Sequence, residues 1–343
     1  MSIAGGLHLA VERIQALDGT ALQIFTRNQR QWRIPELSQE SITEFRKALN
    51  AWGDYPVAAH DSYLINLASP KKDVLSRSMH AFSNELVRVE KLGIPYLVTH
   101  PGAPGKNINV KPNIYVNSGK MSRKASGKER DVSTGKGHGV SANKGNETAG
   151  KSNETDETKT KNQHEDFCSH KESAIRTYVK NLDQALAESK TEHVKILLEN
   201  TAGQGSVLGS TFHELAAIIE LSSFPDRLGV CFDTCHAFAA GYDLRSKDAY
   251  LKTFKSFDKT IGLERLCFFH LNDSAYLMGS KRDRHAHIDE GMLGESAFRF
   301  ILFDPRFQKI GKVIETPKDP DMELDKKNLK LLRSLRMPRS MPY

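Results

Sequence analysis

Six residues of chemically capable type close six short apolar runs: His60, His100, Glu199, Asp233, His270 and Glu315. Each offers a nitrogen or oxygen donor that binds metal ions or carries protons, and each stands at the same place relative to its run. The stretch "GVCFDTCHAFAAGYD" (229–243) adds Cys231, Asp233, Cys235 and His236 within a few positions, and "SKRDRHAHIDEG" (280–291) adds Asp283, His285 and His287. Taken singly, a buried His is an ordinary core residue, a Glu at a strand end a loop residue, and a buried Cys a small hydrophobe. The recurrence of one pattern at six places points to a shared site.

The runs themselves are "TALQIFTRN" (20–28), "YPVAAHDS" (55–62), "IPYLVTHPG" (94–102), "HVKILLENT" (193–201), "RLGVCFDTCH" (227–236), "RLCFFHLND" (265–273) and "GKVIETPK" (311–318). Between them lie helical patterns at 39–51, 72–92, 172–189, 211–221, 248–262 and 295–303. Short β-rich runs alternating with amphipathic helices describe a parallel sheet with helices outside it. Parallel strands all point one way, so their polar C-terminal residues gather on one face. An open doubly wound sheet would place a site at one crevice, whereas ligand-type residues on six strand ends favour closure into a (β/α)₈ barrel. Only seven strands can be counted. "AGGLHLAVERIQAL" reads as a loop entering the first helix, so the expected fold is an α/β TIM barrel lacking its first strand, through a misplaced start or a truncated product.

Residues 103–171 differ from the rest. They are rich in Lys, Ser, Gly, Asn, Thr and Glu, and they hold too few large apolar residues to offset the entropy of ordering. The expectation is a disordered, basic and polar insertion after the third strand, with the barrel domain formed by 1–102 and 172–343. Residues 104–151 carry ten Lys and Arg against three Asp and Glu, which accounts for the chain's formal charge of +7. That half of the insertion would add non-specific phosphate affinity, or act as a passive tether. The four Cys (168, 231, 235 and 267) are too few and too irregular for a disulfide framework, which favours a reducing compartment. No apolar run is long enough to span a membrane, and the N-terminus lacks the layout of a signal or transit peptide. Long polar insertions are commoner in eukaryotic chains, so the expected location is the nucleus or mitochondrion, or the cytoplasm of a bacterium.

The chain resembles the endonuclease IV family of apurinic/apyrimidinic (AP) endonucleases. The resemblance rests on "FTRNQRQW" (25–32), "HDSYLINLASP" (60–70), "HPG" (100–102), "LENTAGQGSVLG" (198–209), "GVCFDTCHAFAAGYDLR" (229–245), "HLNDSAYLMGSKRDRHAHIDEGMLG" (270–294) and "ETPKD" (315–319), and covers nearly everything except 103–171. It implies a TIM barrel with three zinc ions at the C-terminal face. One would take His60, His100 and Glu199. A second would share Glu199 and add Asp233, His270 and Glu315, and a third would take His236, Asp283 and His285. His287 falls outside the matching positions. The donors are all nitrogen or oxygen, which suits hydrolytic zinc, and three Zn²⁺ would exceed the charge of the four carboxylates by about +2, leaving room for a hydroxide and a phosphodiester. Glu199, Asp233 and Glu315 are the carboxylates placed at the reaction.

The resemblance further implies that loops carrying Arg30, Tyr63 and Leu64 enter double-stranded DNA at an abasic site. Tyr63 and Leu64 would act as wedges and Arg30 would fill the space opposite the flipped nucleotide. Read without the resemblance, Tyr63 and Leu64 are core packing. The implied reaction is cleavage 5′ to the abasic site by a monomer, leaving a 3′-hydroxyl and a 5′-deoxyribose phosphate, with trimming of blocked 3′ ends. The rivals are a metal-dependent sugar isomerase or epimerase on a related barrel, and a truncated relative that binds DNA without cutting it. Of the Cys in the dense stretch, Cys231 is expected to pack deeper in the barrel, and Cys235 to pack or support rather than ligate.

Overall fold

The computed structural model describes residues 1–105 and 154–335, with side chains in the second segment described from residue 170 onward. Seven strands form one parallel sheet: β1 (Leu22–Phe25), β2 (Val57–His60), β3 (Tyr96–Thr99), β4 (Lys195–Glu199), β5 (Leu228–Asp233), β6 (Leu266–His270) and, after a small antiparallel pair β7 (Asp273–Ser274) and β8 (His285–Ala286), β9 (Gly311–Val313). Each falls inside one of the seven apolar runs. The order β1-β2-β3-β4-β5-β6-β9 follows the chain, as in a barrel wound from successive βα units. The helices among the described residues are α1 (His8–Ala16), α2 (Gln39–Trp52), α3 (Lys72–Leu92), α4 (Glu154–Ser189), α5 (Phe212–Leu221), α6 (Thr234–Ala240), α7 (Lys247–Thr260), α8 (Glu295–Phe303) and α9 (Glu323–Leu335). None among the described residues is long and apolar enough to cross a membrane.

Two details differ from the sequence reading. Most of the proposed insertion lies outside the described residues, but α4 begins at Glu154, so 154–171 is helical instead of structureless. Its Glu, Lys, Thr and Gln carry little helix penalty, and a helix already docked downstream can be extended by propensity alone. Ala103 also has a fixed place, since it exchanges backbone hydrogen bonds with the Asn66 side chain at 3.0 and 2.8 Å.

Strand alternation sorts the core into two regions. Residues facing outward, such as Ile196, Leu198, Val230, Phe232 and Phe269, join Phe45, Phe82, Tyr178, Phe212, Phe254 and Phe298 from the helices. Residues facing inward form a separate small layer of Ala58, Val98, Leu197, Cys231 and Phe268, with Val313 against it. Successive inward residues on a strand are two apart. Two residues beyond each member of that layer stand His60, His100, Glu199, Asp233, His270 and Glu315. The apolar layer is therefore the floor of the face that carries them. Register keeps the tips level, with Phe25 opposite His60, Glu199 opposite Cys231 and Asp233 opposite His270.

The sheet does not pair β1 with β9. Between these two strands lies a cavity of about 780 Å³, bordered by Leu22, Ile24, Ile310, Val313 and Leu332 among others. At its lower end the backbone comes close. A Cβ on Gly311 would lie 2.4 Å from Phe268 Cε2 and 2.7 Å from Pro56 Cβ. Gly311 thus lets β9 pass between the floor residue Phe268 and the start of β2. Gly311→Ala is expected to lower stability by about 1–3 kcal/mol through overpacking. Urea unfolding should show this as a lower midpoint with the slope unchanged; an unaltered midpoint would mean that the two walls are free to part.

Candidate metal centre

The nine expected donors converge on one face. His60, His100 and Glu199 bring ligand atoms within 4.8 Å of one another, as do Glu199, Asp233, His270 and Glu315, and again His236, Asp283 and His285. Glu199 belongs to the first two groups. Its Oε2 faces His60 Nε2 at 3.2 Å and His100 Nε2 at 3.5 Å, while its Oε1 faces the Nδ1 atoms of His236 and His270, each at 3.1 Å. Glu315 Oε2 lies 3.0 Å from His270 Nδ1. Asp233 closes β5 and caps α6, accepting from His236 N at 2.7 Å. The two halves of the dense stretch are thereby tied together, yet Asp233 and His236 fall in different groups.

The ring orientations carry chemical information. A histidine that donates from one nitrogen presents the lone pair of the other. His60 Nδ1 lies 2.9 Å from Asp61 O, His236 Nδ1 3.0 Å from Asn200 O, and His285 Nδ1 3.1 Å from Glu315 O. All three turn Nε2 into the cluster. His270 is reversed, with Nε2 2.8 Å from Gln23 Oε1 and Nδ1 inward. His236 Nε2 and His285 Nε2 face each other at 3.3 Å, with Asp283 Oδ1 3.1 Å from the former. Two lone pairs directed at each other beside a carboxylate need a cation or a proton between them. The donor set fits a divalent metal.

Without a metal, protons take that part. Burial alone would lower the pKa of His60, but the hydrogen bond and charge of Glu199 overcome it and raise it to about 9. Burial also opposes charging of His236 and His270, yet Asp233, Asp283 and Glu199 around the former, and Cys231, Glu315 and Glu199 around the latter, hold both well above the ordinary value. His100 goes the other way, down to about 4, because burial outweighs Glu199. Glu199, though buried, is held well below the usual carboxylate range by the charges of His270 and His100 and by hydrogen bonds. Burial would raise Asp283, but His236 and His285 bring it down to about 2.

Cys231 is completely buried in the apolar floor, and burial pushes its thiol up to about 12, so it packs as expected. Cys235 donates its thiol to Arg284 O at 3.5 Å. Its Sγ is also near enough to Asp233 and His285 to form a fourth candidate group, which the sequence reading did not foresee. His287 accepts from Asn328 Nδ2 at 3.0 Å, outside the cluster.

Around the cluster stand residues that the sequence reading passed over. Asn200 and Asn272 follow Glu199 directly and His270 by two. Asn200 Oδ1 accepts from Asp233 N at 2.8 Å, while Asn272 donates to Asp233 Oδ2 at 2.6 Å and accepts from Glu315 N at 2.7 Å. Buried Asp273 collects the amides of Ser274, Leu293 and Gly294 at 2.7, 2.8 and 3.2 Å, shaping the segment that carries His285. Glu85 and Arg88 of α3 hold both ends of the loop after β1. Arg27 Nε pairs with Glu85 at 2.5 Å, and Arg88 donates to Thr26 O and Pro35 O, each at 2.8 Å. Their signal, charged residues on the inner side of an otherwise amphipathic helix, is visible in the sequence only once the helix has been oriented.

Arg30 is exposed at the tip of that loop, its amide bonded to Asn28 Oδ1 at 2.9 Å. Tyr63 is 60% exposed, and its ring lies against Phe25 and His60 at 5.3 and 5.9 Å between centroids. Core packing is therefore excluded for Tyr63, while Leu64 is half-buried.

Known proteins match the chain along its length. The sequence model described as "Xylose isomerase-like TIM barrel" matches residues 11–119 and 158–335. A "Probable endonuclease 4" of Chloroflexus aggregans is 41% identical over 335 residues, spanning 98% of this chain and 96% of its own. The counterpart in Trichlorobacter lovleyi is 39% identical, with 98% and 97% covered. Endonuclease IV from Thermus thermophilus superposes with a TM-score of 0.72 at 29% identity, covering 98% of this chain and 96% of that one. A D-tagatose 3-epimerase-like protein superposes with a TM-score of 0.58 at 16% identity, which speaks for the fold alone. The curated relatives are bacterial, which gives no support to a nuclear placement. With a family model over most of its length and relatives near 40% identity end to end, the chain belongs to the endonuclease IV family of xylose isomerase-like TIM barrels.

Proposed function

We propose that the chain is a zinc-dependent AP endonuclease of base-excision repair, acting as a monomer in a bacterial cytoplasm. It would hydrolyse the phosphodiester 5′ to an abasic site in double-stranded DNA, leaving a 3′-hydroxyl and a 5′-deoxyribose phosphate, and trim blocked 3′ ends. The observation that supports this most is the sharing of Glu199 between two donor groups, with His236, Asp283 and His285 gathered beside them. A sugar isomerase or epimerase needs one or two metals and has no use for the third group.

Zinc, when bound, supplies a water of lowered pKa and positive charge for a phosphate oxygen. His60, His100 and Glu199 would hold one ion; Glu199, Asp233, His270 and Glu315 a second; His236, Asp283 and His285 a third. The chain's own contribution is orientation. Asn200 and Asn272 fix Asp233, and backbone carbonyls fix the rings of His60, His236 and His285. Tyr63 and Leu64 would unstack the duplex beside the lesion, and Arg30 would occupy the vacated space.

Chelator-stripped protein restored with zinc is expected to take up about three ions per chain and to nick an abasic duplex on the 5′ side. Asp233→Ala and His236→Ala should lower zinc affinity by more than the roughly 10–100-fold that outer partners cost, whereas Cys231→Ala and Cys235→Ala should retain the metal. Folded, zinc-loaded protein that leaves the duplex intact would sink the nuclease reading in favour of a DNA-binding relative.

A second test concerns the duplex. Tyr63→Ala is expected to raise KM for the abasic duplex about tenfold, within the range of about 1–3 kcal/mol for aromatic–base stacking. Zinc content should be unchanged. Equal KM would return Tyr63 to a bystander's role.

The third test is pH. His60 is raised from 6.5 to about 9 in the folded, metal-free chain, so its stabilisation is complete below 6.5 and is lost as pH rises through about 9. Asp61, which burial raises from 3.8 to about 7, loses its stabilisation between those values and adds little above neutral pH. The carboxylates held low change nothing in this window. The Tm of metal-free protein should therefore fall from neutral pH to about 9, while the increment added by zinc grows because the ligands no longer compete with protons. Thermal melts across that range, with and without zinc, check both; a metal-free Tm that does not fall would contradict the proton-held state.

A further inference from the structure

Gln23 is not among the nine donors. It lies on edge strand β1, in register with the floor residue Ala58, one layer below the cluster. The level of the cluster on β1 is occupied by Phe25, opposite His60, so this strand supplies no metal donor of its own. From the lower layer the Gln23 side chain reaches across the gap between β1 and β9. Its Oε1 accepts from His270 Nε2 at 2.8 Å, and its Nε2 donates to Glu315 Oε1, also at 2.8 Å. These partners lie 247 and 292 residues away in the chain. Gln23 is 7% exposed.

An amide is suited to this place because it accepts and donates at once. The acceptor requires a proton on His270 Nε2, which leaves Nδ1 facing Glu199 and Glu315, to donate to them when the ring is charged or to share a metal with them. The donor takes one oxygen of Glu315, leaving Oε2 beside His270 Nδ1. The ring-fixing acceptors of His60, His236 and His285 are backbone carbonyls. His270 has no such carbonyl among these contacts; its Nε2 is held by a side chain that comes from the far side of the open seam. We propose that Gln23 is a positioning residue for the second donor group and the clasp that holds β1 to the β6–β9 side at the catalytic face. The proposal rests on the zinc reading above for its metal part only.

The test compares wild type with Gln23→Met, which keeps length and volume but neither hydrogen bond, and Gln23→Glu, which keeps only the bond from His270. In zinc-loaded wild type, NMR should show a hydrogen-bonded His270 Nε2–H proton. It should vanish in Gln23→Met and return in Gln23→Glu. Zinc affinity, read by chelator competition, should fall roughly 10–100-fold in Gln23→Met. In metal-free protein, amide exchange at Leu22–Phe25 and Gly311–Val313 should quicken in Gln23→Met while β4 and β5 stay protected. An unchanged His270 signal and zinc affinity in Gln23→Met overturn the positioning role, even if the Tm falls. Unchanged exchange at both edges overturns the clasp. Wild-type protein that takes up no zinc would instead overturn the proposed function, and the exchange comparison would still decide the clasp.

Discussion

The architecture of the face turns on one buried carboxylate. Glu199 has no exposure to solvent, and a charge in that position costs several kcal/mol unless surrounding donors replace water. Its two oxygens are shared among His60, His100, His236 and His270, drawn from β2, the end of β3, α6 and β6. No local segment can assemble that set. It requires strands far apart in sequence to present their tips at one height, which the parallel register does. The raised pKa values of His60, His236 and His270 and the depressed pKa of the carboxylate are two descriptions of one requirement, met by protons or by metal.

The floor beneath explains why those tips are level. Alanine, valine, leucine, cysteine and phenylalanine fill the inner layer, and their unequal sizes suit a small barrel packed solid across its axis. Donors sit two residues above, so the spacing of a pleated strand converts an apolar layer directly into a polar one. This arrangement places His60, Glu199, Asp233 and His270 on strands, with His100 and Glu315 within two residues of a strand end, and strands hold angles better than loops. Where one strand lacks a ligand, as β1 does, a longer side chain from the lower layer supplies the missing bond.

Much of this was legible in the residues. All seven strands of the parallel sheet lie within the apolar runs, and six donors were legible because strand-end position is a one-dimensional property; the grouping with His236, Asp283 and His285 was implied by the family resemblance, and these nine do lie in three such groups. Its supporting partners were less legible. Asn200 and Asn272 look like loop residues in "LENT" and "HLND", and Gln23 looks like a polar residue on an edge strand. Their roles depend on contacts across more than thirty residues, in Gln23's case more than two hundred, which no local pattern encodes. The short helix α6 was hidden because Asp233 acts as both strand terminus and helix cap. The nearness of Cys235 to Asp233 and His285 was not legible, since it follows from the pairing of β7 with β8.

The loop after β1 shows why rigidity is placed where it is. Its tip exposes Arg30, while its base is held by Arg27 paired with Glu85 and by Arg88 on two carbonyls, all buried. A buried ion pair contributes little net stability compared with apolar packing. It does discriminate sharply among conformations, because any arrangement that parts the charges leaves them unsolvated. Ser62 adds a hydroxyl to Gln29 O at 2.8 Å, joining this loop to the one that carries Tyr63. The two exposed side chains best placed to meet a duplex therefore stand on one coupled base. The second of these loops follows β2 directly, the strand that ends in His60, so a duplex held by the loops would be held at a set distance from His60. Exposed tips on a fixed, charged foundation keep the two contact points at a constant spacing from each other and from the donor cluster.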